Sequence, residues 1–362
     1  MTTSKIVFCL PVFRSPKDEY STGGTISNYT LIRELSSKHS LIVIAAIVSK
    51  DLLEVPIKNV TIITKPGFDQ PSLIVKAKKK IWLYKTIKDY LKKESNVITI
   101  STNGTASFVN KYNDSDKIIL VRAFEDFLNY KVVGESIVER IRKRLFYYSV
   151  NNLIKATYTE AKFIITNSKY MKLEISKYFN IPKDNIHVLY PPIDIVRKDF
   201  RNYDPKKINI GMINPKPIKG ETVFLAIAEK FPDYNFSYFS KENRNYKVKN
   251  IEYLGWGNDV EKIFASFDLL IVPSLWDEPF GRVAVEGIRS GIPVLVSNHG
   301  GITETVDNAF VVKDDDVESW QRKIDWVKTK PEEVKIAWEK SAALSERFTT
   351  EAHNKQVDVY FK

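Results

Sequence analysis

The sequence predicts an α/β protein built from two doubly wound domains in tandem, facing a central cleft. Short apolar runs of strand length alternate with amphipathic helical stretches along most of the chain. A chain of 362 residues is also too long for one ordinary hydrophobic core. Strands that are apolar on both sides are typical of parallel sheets with helices on both faces, so we expect two such sheets.

The first domain is predicted to span residues 1–190. Its strands are expected at 5–13, 41–48, 59–64, 96–101, 117–124 and 162–168, with helices between them. The first of these helices opens on the turn formed by Gly23 and Gly24. The segment "YPPID" then interrupts the alternation, because two prolines cannot continue a sheet ladder.

The second domain is predicted to span residues 195–345, where the alternation resumes. Its strands are expected at 208–214, 235–240, 250–256, 268–274 and 293–297, and its helices at 220–230, 258–266 and 281–290. A last helix at about 349–362 is expected to cross back to the first domain. In open α/β sheets ligands bind at the carboxyl ends of the strands, so the loops there are the first place to search for a site.

The net charge of +11 is concentrated in two segments. Lys76–Lys93 holds eight lysines and one aspartate, and Glu139–Arg144 adds four cations and one acid. Two interpretations of Lys76–Lys93 stay open. One is a helix whose stripe of Ile81, Tyr84, Ile87 and Leu91 faces the core with a solvated basic face; the other is a peripheral patch for an anionic membrane surface. No helix-turn-helix or stacking platform accompanies the charge, so nucleic acid is not expected as a partner.

Cysteine and histidine are too sparse for a disulfide or a zinc centre. Cys9 is the single cysteine, and the four histidines are scattered along the sequence. No apolar run approaches the roughly 20 residues of a membrane-spanning helix. We therefore expect a metal-independent protein without a cofactor, located in the cytoplasm or peripherally at the inner face of the membrane.

The stretch "WDEPFGRVAVEG" carries the strongest functional signal. It places Glu278 and Glu286 on either side of a turn at Gly281 that opens a helix. The backbone N–H groups of Phe280, Gly281 and Arg282 lie at this helix start, where they suit a phosphate. Carboxylates accept hydrogen bonds from the hydroxyls of sugars and ribose. A sugar, a diphosphate and a ribose in that order describe a nucleotide sugar.

The segment "EPFGRVAVE" resembles the E-x7-E motif of retaining glycosyltransferases of family 4, which have the GT-B fold with two Rossmann-like domains. "STGGTISNY", "VLYPPID", "INPKPIKG", "YLGW" and "SNHGGITETV" are similar to further segments of that family, in the same order. The resemblance implies a retaining, metal-independent hexosyltransferase. It would move a hexose from a nucleotide sugar, with a UDP-sugar such as UDP-glucose favoured, to a sugar or lipid-linked glycan acceptor. The first domain would bind the acceptor and the second the donor.

The resemblance also implies roles for individual residues of the donor site. Glu286 would hold the ribose, Glu278 would contact the donor sugar, and Lys219 would neutralise the diphosphate. Trp256 would lie near the base, and Gly23 and Gly24 would approach the phosphate from the first domain.

Two positions depart from the family pattern. The family often has an arginine shortly before the lysine; here Asn214 and Lys216 lie in that stretch, and Lys216 or Arg282 is the candidate second cation. Many members also have a histidine in the first domain; here its role would fall to Asn103, Arg122 or Asp126, or to no residue at all.

Three alternatives to a transferase remain open at this stage. A nucleotide-sugar epimerase on the same fold would consume its substrate without an acceptor, and a glycosyl phosphorylase would need inorganic phosphate. A basic membrane- or nucleic-acid-binding protein with an inactive fold would bind its partner equally well with Glu286 replaced by alanine.

Overall fold

The computed structural model describes residues 5–68, 72–94, 96–124, 136–138, 141, 152–240, 246–255, 260–313 and 315–362. Within this part, the chain divides into two compact units. The first unit comprises the described residues up to Phe124, those from Ser136 to Pro191, and Asn354–Lys362. The second unit comprises Pro192–His353.

The first unit contains a seven-stranded parallel sheet in the order β3-β2-β1-β4-β5-β6-β7. The strand order reverses between β1 and β4, which are neighbours in the sheet. The strands are β1 Lys5–Phe13, β2 Leu41–Val48, β3 Val60–Ile63, β4 Val97–Thr102, β5 Lys117–Val121, β6 Phe163–Thr166 and β7 Ile186–Val188.

Helices cover both faces of this sheet, as its two-sided apolar strands predict. Along β1, Ile6, Phe8 and Leu10 belong to one hydrophobic core. Val7 and Cys9 belong to a second core. The helices are α1 Gly23–Ser36, α2 Lys50–Glu54, α3 Leu73–Lys93, α4 Asn103–Tyr112 and α5 Lys169–Phe179, and residues 152–159 are also helical.

Helix α3 faces its core with a different stripe from the one predicted. Its buried residues are Leu83, Ile87 and Leu91, spaced four apart, as one face of a helix requires. The predicted contribution of Ile81 is wrong, because its side chain is 68% exposed. The second basic segment, Glu139–Arg144, lies outside the described residues except for Ile141, which is exposed.

The second unit also has a seven-stranded sheet, in the order β10-β11-β9-β8-β12-β13-β14. Its strand order reverses between β8 and β12. The strands are β8 Asn209–Ile213, β9 Asn235–Ser240, β10 Tyr246–Val248, β11 Ile251–Gly255, β12 Leu269–Val272, β13 Val294–Ser297 and β14 Val311–Val312.

One strand departs from the predicted parallel sheet. Strand β10 pairs antiparallel with β11, and only Lys249 and Asn250 separate the two strands. Lys249 adopts a positive φ of 54°. A two-residue turn can join only antiparallel strands, because a parallel neighbour needs a crossover connection.

The remaining helices are α6 Glu221–Lys230, α7 Val260–Ala265, α8 Arg282–Arg289, α9 Val317–Thr329, α10 Pro331–Ser345 and α11 Thr350–Tyr360. Residues from Asn354 onward belong to the first unit, where Val357 is 1% exposed in its core. The hydroxyl of Tyr360 donates to the carbonyl of Val188 at 2.9 Å. The predicted pair of doubly wound α/β sheets is confirmed.

Candidate functional site

The reversal of strand order between β8 and β12 marks the candidate site of the second unit. The two strands are parallel neighbours. The other neighbour of β8 is β9 and that of β12 is β13, so the sheet is extended in opposite directions from this pair. In open α/β sheets ligands bind beyond the carboxyl ends of the strands at such a point. The segments that follow the two strands, residues 214–220 and 273–281, carry Lys219 and Glu278.

Lys219 and Glu278 meet across these segments although 59 residues separate them in the sequence. The Lys219 Nζ lies 2.5 Å from the Glu278 Oε1. The hydroxyl of Ser274 donates to the same Oε1 at 3.1 Å. The side chain of Glu278 is 12% exposed and that of Lys219 is 33% exposed. An ammonium has three donors, so Lys219 can contact a ligand from its open side while it holds the carboxylate.

A close backbone approach brings Lys219 to this position. Gly220 has φ +84°, and a Cβ at this residue would lie 1.8 Å from the carbonyl oxygen of Pro273. The backbone N–H of Leu275 donates to the carbonyl of Ile218 at 3.1 Å. The loop after β8 is therefore fixed against the segment after β12. The Lys219 Nζ also lies 5.3 Å from the centre of the Trp276 ring, which is within the range of a cation–π contact.

Backbone hydrogen bonds fix both the N–H and the carbonyl of Glu278. Its N–H donates to the carbonyl of His299 at 3.1 Å, and its carbonyl accepts from the N–H of Gly301 at 2.6 Å. Gly300, between these partners, has φ +78°, and a Cβ there would lie 2.4 Å from the Glu278 carbonyl oxygen. These contacts position the carboxylate before any ligand binds.

Helix α8 begins immediately after this segment, at the predicted turn. Gly281 precedes the helix with φ +93°, and a Cβ there would lie 2.4 Å from the Ile302 side chain. The first N–H groups of a helix have no partner within it and carry the positive end of its dipole. They provide a site for an anion. Phe280 is 2% exposed and packs edge-on against Phe348, so its side chain anchors the turn.

Glu286 and Arg282 lie one turn apart on α8. Their closest charged atoms, Arg282 Nη2 and Glu286 Oε1, are 3.5 Å apart, and each side chain is 22% exposed. Arg282 Nη1 also donates to the carbonyl of Pro192 at 2.9 Å. Glu286 is thus accessible to a ligand, and Arg282 is partly engaged by protein acceptors.

The other predicted donor residues of this unit occupy the loop after β8. Asn214 adopts φ +54°, and its N–H donates to the carbonyl of Phe239 at 2.8 Å. Lys216 precedes a 3-10 turn at Pro217–Lys219, and its carbonyl accepts from the N–H of Lys219 at 2.8 Å. Trp256 lies outside the described residues.

The predicted residues of the first unit lie at the ends of its own strands. Gly23 and Gly24 open α1, and Arg122 directly follows β5. Asn103 is the first residue of α4, and its side chain lies outside the described part. Asp126 also lies outside the described residues.

Sequence reasoning missed three contributors to the Glu278 site: Ser274, Trp276 and the backbone at His299. Ser274 ends the predicted strand 268–274, and the segment "SNHGG", which contains His299, resembles a family segment but suggests no role of its own. A polar residue at the carboxyl end of a strand beside a reversal of strand order is the signal that could have found Ser274.

No cluster of three or more His, Cys, Asp or Glu side chains able to hold a metal ion occurs in the described part of the chain. Among the same residues, no helix combines the length and apolar composition needed to cross a membrane.

Two family models match the chain. The model for Glycosyltransferase Family 4 matches residues 21–197. The model for Glycosyl transferases group 1 matches residues 223–346. The first match ends a few residues into the second unit, and the second match lies within the second unit and includes Glu278 and Glu286.

Curated relatives include glycosyltransferases from an archaeon and a bacterium. An uncharacterized glycosyltransferase of Methanocaldococcus jannaschii is 28% identical over 173 residues, covering 40% of this chain and 44% of the relative. The O-antigen chain mannosyltransferase RfbU of Salmonella typhimurium is 27% identical over 198 residues, covering 50% of this chain and 55% of the relative. The chain therefore spans about half the length of the curated relatives it matches.

The fold is also that of a solved structure. HepE of Anabaena, in complex with UDP and glucose, aligns over 99% of both chains with a TM-score of 0.69 and 16% sequence identity. At this identity the likeness shows the fold alone, and the predicted GT-B fold is confirmed. The chain belongs to the family 4 glycosyltransferases with the GT-B fold.

Proposed function

We propose that the protein is a retaining, metal-independent hexosyltransferase. It moves a hexose from a nucleotide sugar, a UDP-sugar such as UDP-glucose, to a sugar or lipid-linked glycan acceptor. The observation that carries this proposal is the pair of Lys219 and Glu278 where the strand order reverses, beside the helix start at Gly281. The choice of UDP is supported by HepE, whose structures contain UDP or UDP-glucose.

Each part of the donor has a chemically matched group in the second unit. The diphosphate is assigned to Lys219 and to the first N–H groups of α8, which have no partner within the helix, since both attract anions. The hydroxyls of the hexose donate to Glu278, and those of the ribose donate to Glu286. This division uses both carboxylates, and it places neither of them on the phosphate.

The reaction breaks the bond between the anomeric carbon of the hexose and the phosphate oxygen of UDP. The electron pair leaves with UDP, and Lys219 and the α8 amides stabilise the growing negative charge. The acceptor hydroxyl forms the new bond on the same face of the sugar and transfers its proton to the departing phosphate oxygen. Configuration is thereby retained without a covalent sugar–enzyme intermediate, and the positive charge comes from the protein, with no metal or other cofactor.

The first unit is proposed to hold the acceptor and to associate with membrane. Leu73, Ile74 and Ile81 of α3 are 66–81% exposed beside its lysines. Apolar side chains within a basic helix suit an anionic lipid surface. A lipid-linked acceptor would be found at that surface, which favours a cytoplasmic enzyme bound peripherally to the inner face.

The experiment is thermal unfolding of the wild type, Glu286→Ala and Glu339→Ala with UDP, GDP, ADP or TDP. Glu339 is an exposed glutamate on helix α10 of the same unit and serves as the matched control. A ligand at about 100 times its Kd adds roughly 2.7 kcal/mol, or about 5–11 °C for a unit of this size. We expect UDP to stabilise the wild type and Glu339→Ala, with the shift lost in Glu286→Ala.

Stabilisation that survives in Glu286→Ala, or no response to any nucleotide, would contradict the donor site. A turnover assay with UDP-glucose then separates the enzyme classes. Release of UDP that requires an added sugar acceptor supports transfer. Conversion of the sugar without an acceptor would indicate an epimerase, and dependence on inorganic phosphate would indicate a phosphorylase.

A further inference from the structure

The side chain of His299 lies between two aspartate carboxylates beside the candidate donor site. Its Nε2 is 2.8 Å from each of the two carboxylate oxygens of Asp315. Its Nδ1 is 3.5 Å from the Oδ1 of Asp277, which is within the range of an ion pair. The imidazole is 29% exposed, so solvent competes only in part for these two contacts.

The three side chains come from separate segments of the second unit. Asp277 lies in the loop after β12, and His299 lies two residues beyond the end of β13. Asp315 lies two residues before helix α9, and the next residue, Asp316, caps that helix. The imidazole ring therefore links the loop after β12 to the start of α9.

The hydrogen-bonding capacity of the ring suits this link. A carboxylate can only accept hydrogen bonds, whereas each ring nitrogen of an imidazolium carries a proton. The imidazolium can therefore satisfy Asp315 and Asp277 at the same time. A neutral ring has one N–H, so its other nitrogen would present a lone pair to a carboxylate.

The backbone of His299 holds the next residue of the same loop. The N–H of Glu278 donates to the His299 carbonyl at 3.1 Å. Asp277 and Glu278 share one planar peptide unit. His299 therefore holds this unit twice, through its ring at Asp277 and through its carbonyl at Glu278. The direction in which the Glu278 side chain leaves the loop depends on both contacts.

We propose that His299 and Asp315 are positioning residues for Glu278. Asp315 orients the imidazole, the imidazole holds Asp277, and the loop fixed in this way directs the Glu278 carboxylate toward the hexose of the donor. Neither His299 nor Asp315 is assigned a contact with the donor. The inference rests on the proposed function, because it acts through the contact between Glu278 and the hexose.

The test compares the affinities of the full chain for UDP and for UDP-glucose by titration calorimetry. His299→Ala removes the ring and keeps the carbonyl that accepts from Glu278. Hydrogen bonds to a charged group are among the stronger ones, so we expect UDP-glucose to bind about tenfold more weakly to this variant. The affinity for UDP, which lacks the hexose, should not change.

Asp315 provides a graded comparison within the same link. Asp315→Ala should weaken UDP-glucose binding as His299→Ala does. Asp315→Asn keeps an oxygen that accepts from Nε2, so it should lose less affinity. Asp233→Ala removes an exposed aspartate of the same unit and serves as the matched control, with both affinities as in the wild type.

A double-variant cycle with Glu278→Gln separates positioning from a general structural role. Residues that act through one another have non-additive effects. We therefore expect His299→Ala to cause little further loss of UDP-glucose affinity when Glu278→Gln is already present. Independent losses that multiply in the double variant would contradict the proposal. Equal weakening of UDP and UDP-glucose by His299→Ala would also contradict it.

Thermal unfolding checks that the variants are folded. A partly exposed ion pair contributes little to stability, so His299→Ala should unfold within a few degrees of the wild type. If His299→Ala does not fold, Asp315→Ala and Asp315→Asn carry the same comparison and the same double-variant cycle.

The two proposals fail in different ways. If Glu278→Gln weakens UDP-glucose binding while His299→Ala and Asp315→Ala do not, the donor site stands and the positioning role is refuted. If UDP binds but Glu278→Gln leaves UDP-glucose binding unchanged, Glu278 does not contact the hexose. In that case the assignment of Glu278 in the proposed function is wrong, and the positioning role is refuted with it.

Discussion

Replacement of Gly220 by alanine tests the close approach that positions Lys219. The change adds a Cβ at a residue with φ +84°, 1.8 Å from the carbonyl oxygen of Pro273. The left-handed conformation costs an L residue roughly 1–2 kcal/mol. Relief of the overlap by backbone shifts typically adds about 1–3 kcal/mol. We expect a total loss of about 2–5 kcal/mol in the free energy of unfolding of the second unit.

Asn214→Ala is the matched control within the same unit. Asn214 also has a positive φ, 54°, but it already carries a Cβ. Its replacement should therefore cost only the conformational part, roughly 1–2 kcal/mol or less. The difference between the two variants isolates the overlap with Pro273.

Urea unfolding followed by tryptophan fluorescence is the assay. Five of the six tryptophans fall in the range Pro192–His353, so the signal comes mainly from the second unit. The displaced loop should also move Lys219 away from Glu278, and UDP binding should weaken in Gly220→Ala. If Gly220→Ala and Asn214→Ala lose the same free energy of unfolding and Gly220→Ala binds UDP as the wild type does, the close approach at Gly220 does not position Lys219.

Two further predictions concern the first unit. Burial raises the pKa of Cys9 to about 12, so at pH 8 only about one thiol in ten thousand is ionised, and a disulfide reagent should label it only after unfolding; labelling within minutes in native buffer would contradict this. Reversal of charge at Lys76 and Lys78 of α3 should weaken binding to vesicles that contain anionic lipid by at least about tenfold, while the same change at Lys206 and Lys207 should not. Equal binding of both variants in a co-sedimentation assay would exclude α3 as the membrane contact.

The sequence predicts the strands well because most of them are buried on both faces and read as continuous apolar runs. The same property leaves other features of the fold unpredicted. A run that is apolar on both sides does not reveal which residue faces which core, and in α3 four apolar residues suggested a stripe whose first member, Ile81, is exposed. Strand β10 is three residues long and too short to give a pattern.

The candidate site can likewise be predicted from the sequence only in part. Glu278, Gly281 and Glu286 are within one short motif, so their spacing along a loop and a helix follows from the sequence. The contact between Lys219 and Glu278 does not, because it depends on two strands becoming neighbours in the sheet. The roles of these residues remain predictions for the experiments above.

Two hydrophobic cores in the described part of the first unit share strand β1. Strand β1 contributes Ile6, Phe8 and Leu10 to one and Val7 and Cys9 to the other. Loss of this strand from the sheet would open both cores at once, so we expect neither to unfold independently of the other. The unit should then unfold cooperatively, and labelling of Cys9, which lies on that strand, would report its global unfolding.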